Sequence, residues 1–211
     1  MKRFRLLLLS ALAGLCANPA QAQDLSPPGL GNSTAAPVGK PFALPEGVTL
    51  RQPIKPYDAS RPQDCGNRDA KKAYGTDGHL IALCLQFTNR TGAPIDVTLP
   101  PGLIFRSRNV RKQNGIVVQS QVIQVPPAAI FYAPLRLYCA NGNRPGPGDD
   151  DLYDLGPITE APQLIALFRK LAGKNLAGVD VIQGFVWDTA ATGEISAFVD
   201  MMDTLPAPAS R

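Results

Sequence analysis

Residues 79–88 read HLIALCLQFT and residues 130–139 read IFYAPLRLYC. Each is a short, mostly apolar run ending near turn residues, which is the form of a buried strand rather than a helix. In the first the apolar side chains are almost continuous, which predicts a central strand covered on both faces. In the second Pro134 removes a backbone donor, which places part of the run at an edge or a bulge. Working outward, Asn89-Arg90-Thr91-Gly92 is a turn. Ile95 to Leu99 alternates as IDVTL, Pro100-Pro101-Gly102 interrupts, and Leu103 to Phe105 resumes. Ile116 to Val125 reads as one further strand, IVVQSQVIQV, closed by Pro126-Pro127. Phe42 to Leu50 gives a weak edge strand. Short strands separated by Pro/Gly turns predict an antiparallel β-sandwich or open barrel over residues 42–142.

Beyond Cys139 the pattern changes. Residues 140–158 read ANGNRPGPGDDDLYDLGPI and predict a long loop. The period then becomes helical. Leu164, Ile165, Leu167, Phe168 and Leu171 form one apolar stripe, ended by Gly173. Val179, Ile182, Val186 and Trp187 form a second, and Ile195, Phe198, Val199 and Met202 a third. The expected fold is therefore mainly β with α: a sandwich followed by a small helical region over 157–205, with a frayed tail over 206–211. The 21 prolines and 19 glycines among 211 residues exclude a long helical bundle.

The N-terminus reads as an export signal over residues 1–22. Lys2, Arg3 and Arg5 precede an apolar run from Leu6 to Leu15, and Ala20-Gln21-Ala22 is a small-x-small cleavage site. The run is too short for a permanent membrane anchor. Bulky Leu15 before Cys16 argues against a lipid-modified cysteine. Residues 23–41 form a Pro-rich arm expected to be disordered. Signal removal takes three of the 21 basic residues, so the formal charge falls from +4 to +1. What remains is split: residues 51–112 carry a net +6 and residues 145–211 a net −6. Such a split predicts two faces attracting each other, or plain solvation, rather than a nucleic-acid surface, because the chain has no aromatic-interleaved basic stripe. The expected location is periplasmic, extracellular or cell-surface, with no integral membrane segment after cleavage.

Few residues offer chemistry. His79 is the only histidine, which excludes a His-rich metal site. It is a base candidate for a thiol, giving a cysteine-nucleophile enzyme as one alternative. Asp149, Asp150, Asp151 and Asp154 are a weak Ca²⁺ candidate without EF-hand spacing, giving a lectin-like module as another. No other metal or cofactor is expected. Asn32-Ser33-Thr34 and Asn89-Arg90-Thr91 match the glycosylation sequon. Export implies an oxidising compartment, and the remaining cysteines, Cys65, Cys84 and Cys139, are odd in number.

Tyr138-Cys139-Ala140-Asn141 ends a predicted strand, and Ile182-Gln183-Gly184-Phe185-Val186-Trp187 lies on a predicted helix. Over about residues 130–190 this resembles the thioester (TQxA-type) domains of bacterial surface adhesins. There an aromatic-Cys segment and a Gln-x-x-apolar-Trp helix supply an internal Cys–Gln thioester. The resemblance implies a sandwich joined to helices, a bond between Cys139 and Gln183, and Trp187 as its shield, one helical turn from Gln183. It implies a partner amine, on a protein or a surface glycan, captured covalently. It also leaves Cys65 and Cys84 to form a disulfide. The chain departs from the family pattern at Ile182, where Thr is preferred, and at Phe185, where Ala is preferred. The competing pairing, Cys84 with Cys139, would be an immunoglobulin-like inter-sheet disulfide. The functional expectation is an exported, non-enzymatic binding module.

Overall fold

The computed structural model describes residues 25–66, 73–76, 80–178, 180–195 and 199–207. The export signal over 1–22, His79, Val179 and Phe198 lie outside the described residues. The chain is mainly β. The strands are β1 (Val48–Leu50), β2 (Lys55–Pro56), β3 (Ile81–Asn89), β4 (Ile95–Leu99), β5 (Leu103–Ser107), β6 (Gly115–Ile116), β7 (Gln121–Val125), β8 (Ala129–Cys139) and β9 (Tyr153–Ile158). Three short helices follow: α1 (Pro162–Leu171), α2 (Val181–Thr192) and α3 (Val199–Asp203).

The larger sheet has seven antiparallel strands in the order β1-β3-β8-β6-β5-β9, with β2 also on β3. The second sheet is the β4–β7 pair. β3 and β8 form the spine of the larger sheet, paired from Ile81 opposite Leu137 to Asn89 opposite Ala129. Period-2 alternation then separates two cores. Leu103, Phe105, Leu135, Leu137 and Cys139 point between the two sheets, where they meet Val97, Leu99, Ile123 and Val125. Ile104, Ile116, Tyr138 and Ala140 point the other way, onto Leu164, Leu167, Phe168, Ile182 and Val186 of the helices. This explains the unbroken apolar runs LIF and LYCA: both faces of the sheet are covered there.

Several expectations are corrected. β3 is central but not uniformly buried; every second residue is only half-buried. Residues 116–125 are not one strand. They divide into β6 and β7, with Val117 to Ser120 crossing from one sheet to the other. Residues 140–158 are not all loop, because β9 closes the sheet edge on β5, with Arg106 opposite Asp154. Its Gly156-Pro157 pair hid the strand from a propensity reading. Pro134 does sit at a local edge: its side of β8 faces only the Tyr74 bridge, where Tyr74 N–H donates to the Pro134 carbonyl at 2.8 Å. The missing N–H therefore breaks no ladder bond with β3.

The expected disordered arm is packed against the fold around Gly29 to Gly31. Leu30 is 1% exposed and belongs to the helix-side core. The Asn114 and Asn141 side-chain amides donate to the Gly29 carbonyl at 2.8 and 3.1 Å, and Asn141 also to that of Gly31. Lys40 bridges to Ile158 at the sheet edge. One buried leucine and satisfied backbone carbonyls hold a segment whose composition alone reads as linker.

Candidate functional site

Cys139 is the last residue of β8, and β3 ends two pairs earlier, at Ile81 opposite Leu137. On its other side β8 pairs with β6 through Tyr138 opposite Ile116. The Cys139 N–H and C=O therefore point to the side that β3 has vacated. Gln183, on the buried face of α2, fills that place. The Cys139 N–H donates to Gln183 Oε1 at 2.8 Å, and Gln183 Nε2 donates to the Cys139 carbonyl at 2.8 Å. A side-chain amide thus extends the sheet by one residue. The helix can present it because Ile182, Phe185 and Val186 on the same helix bury against the sheet. Cys139 is 0% exposed and Gln183 5%.

Burial pushes the Cys139 thiol up to about 12. Beside it, Tyr153 is also buried, and burial first, with the Cys139 sulfur second, raises its pKa. The Tyr153 hydroxyl donates to the Gln113 carbonyl at 3.1 Å. Trp187 lies one turn after Gln183 and packs against the same core as Cys139. Its Nε1 donates to Gln113 Oε1 at 3.1 Å, and its ring sits against Gly142, where a Cβ would come within 3.1 Å. Cys139, Gln183 and Trp187 are thus brought to one junction between sandwich and helices. Gln113, which ties Tyr153 to Trp187, escaped sequence reading because a glutamine in a loop carries no pattern.

Cys65 and Cys84 form the disulfide, with 5.5 Å between Cα atoms. Among the described residues Cys139 is the free cysteine, and it is buried, which overturns the immunoglobulin-like Cys84–Cys139 pairing. The enzyme alternative depends on His79, which lies outside the described residues.

The acidic loop is dispersed among cations rather than gathered. Asp149 pairs with Arg61 at 3.2 Å, Asp151 with Lys112 at 3.5 Å, and Asp154 with Arg108 at 2.8 Å and Arg106 at 3.3 Å. The Arg108 hydrogen bonds hold the Asp154 carboxyl below its ordinary value. Among the described residues no cluster of three or more metal-ligating side chains occurs. The Ca²⁺ candidate Asp149, Asp150, Asp151 and Asp154 therefore lacks a cage: Asp149, Asp151 and Asp154 already bind arginine or lysine. The charge split resolves in the same contacts. Among the described residues, Arg61, Arg106, Arg108 and Lys112 of the basic stretch pair with this loop, and none of that stretch pairs with the helices.

Asn89, the asparagine of the second sequon, is 1% exposed. It accepts from the Thr91 N–H at 2.9 Å and donates to the carbonyls of Ala93 and Val125. It is a turn-forming amide buried under the sheet end, which leaves no room for a glycan.

No family model, curated protein or solved structure matches the chain. Among the described residues no helix is long and apolar enough to cross a membrane.

Proposed function

We propose that this chain is an exported binding module without turnover, whose chemistry is an internal thioester between Cys139 and Gln183. The observation that carries the reading is the pair of 2.8 Å hydrogen bonds that hold the Gln183 carboxamide on the thiol's own residue. The thiol adds to Cδ of Gln183, the C–N bond breaks, and the nitrogen leaves as ammonia with the thiol proton. A partner amine then adds to the same carbon. The C–S bond breaks, an amide link forms, and the sulfur regains a proton. Water exclusion by the two cores and the Trp187 ring preserves the acyl group until a partner arrives. The export-signal pattern and the Cys65–Cys84 disulfide support an oxidising compartment. The partner is a protein or surface glycan bearing an amine.

A second reading is favoured by the same bonds and by the thiol raised to about 12. Here Gln183 is a backbone clamp, Cys139 stays a neutral core residue, and the module binds without a covalent link. Intact mass decides between them. The thioester lowers the mass by about 17 Da beyond the disulfide loss, and Cys139→Ala abolishes the deficit. A mass equal to that of the disulfide-bonded chain refutes the thioester and leaves the clamp.

A further inference from the structure

Away from that junction, Arg106, Arg108 and Arg144 line one cleft of about 310 Å³ together with Asp154 and the arm residues Thr34 to Pro37. Three guanidiniums face one carboxylate, so the cleft carries a net charge of +2. Asp154 satisfies little of that donor capacity. Arg108 spends Nε and one terminal nitrogen on it, and Arg106 a single N–H at 3.3 Å. Among the described residues, Nε and NH1 of Arg106 and NH1 of Arg108 have no acceptor. Arg144 is fixed from behind, donating to the carbonyls of Ser33 and Lys112.

The wall is built rather than incidental. Arg106 stands on β5 directly opposite Asp154 of β9, so the sheet register sets their spacing. Arg144 reaches the arm that Leu30 anchors, and the arm backbone closes the other side. A guanidinium fork with unused, half-exposed donors binds oxyanions bidentately and more specifically than an ammonium does. Ala35, Ala36, Pro37 and the 66%-exposed Val110 add apolar surface at the rim.

We infer that this cleft binds an oxyanion, a phosphate, sulfate or carboxylate group carried on a small organic body. Asp154 acts there as an internal placeholder. It orients the two arginines and competes with the ligand for their donors. Removing it therefore strengthens binding, whereas a merely structural ion pair would only lose stability.

The test is titration of the purified protein with inorganic phosphate, sulfate and acetate at constant ionic strength, read by amide NMR shifts. Saturable shifts at Ala35, Ala36 and Ser107 at millimolar anion are expected, and the strongest of the three names the group. Arg106→Ala, which leaves the Arg108–Asp154 pair intact, weakens binding about tenfold, the weight of one hydrogen bond to a charged group. Asp154→Asn tightens it about fivefold or more, through the added positive charge and the released donors. Absence of saturable shifts with all three anions overturns the inference. So does an Arg106→Ala variant that binds like the parent, or a folded Asp154→Asn variant that binds more weakly. Should Asp154→Asn fail to fold, Arg106→Ala decides alone. Neither variant touches Cys139 or Gln183, so the outcome is independent of the thioester.

Discussion

In the clamp reading, where Gln183 keeps its amide, replacing it by Met keeps the length and most of the volume of the side chain but removes that amide. The Cys139 N–H and C=O would then lie at a 0%-exposed position with no partner and no route for water. An unsatisfied buried donor or acceptor costs about 1–3 kcal/mol, so the pair costs about 4 kcal/mol. That is a large share of the roughly 5–15 kcal/mol that holds a domain together. With a urea slope of about 2 kcal/mol per molar, the unfolding midpoint falls by about 2 M. The comparison variant is Cys139→Ala. Both clamp bonds involve the backbone of residue 139, so they survive, and the loss is about 1 kcal/mol for one small buried atom group. Urea unfolding of the two variants beside the parent measures the contrast. Hydrogen exchange at the Cys139 amide adds a local readout, with protection lost only in Gln183→Met. A loss below about 1 kcal/mol for Gln183→Met, or equal losses for both variants, refutes the claim that the amide completes the sheet edge.

Two other outcomes are expected. Removing the Cys65–Cys84 bond by double substitution to Ser reopens a loop with a sequence separation of 19, which destabilises the fold by about 3 kcal/mol on chain-entropy grounds; an unchanged thermal midpoint would contradict it. If Cys139 stays a thiol, it resists alkylation at pH 8 until denaturant is added. Its raised pKa makes the buried neutral form a stabilising contribution that is complete below about 9 and is lost as pH rises towards about 12. Rapid native-state labelling at pH 8 would show that the thiol is not held as described.

The sequence by itself determined the spine of this protein. HLIALCLQFT and IFYAPLRLYC became β3 and β8, because a short apolar run between turn residues has few other ways to bury its surface. The helical stripe ended by Gly173 became α1, closed by a residue with φ of +68°, for the same local reason. Cys139, Gln183 and Trp187 are singled out by a resemblance to thioester domains. Arg106 on β5 and Arg108 just past its end, two apart, were also visible in principle, but alternation alone does not say what stands opposite. Only the tertiary structure decided that. It brought Asp154 across from Arg106 by adding a strand where Gly and Pro predicted loop. It divided IVVQSQVIQV between two sheets, because burying both Val117 and Val118 requires a core on each side. It packed an arm of linker composition by sinking Leu30 between sheet and helices. It also turned the Cys139–Gln183 pair from a resemblance into a contact, because β3 stops short and a buried backbone pair must find its hydrogen bonds elsewhere.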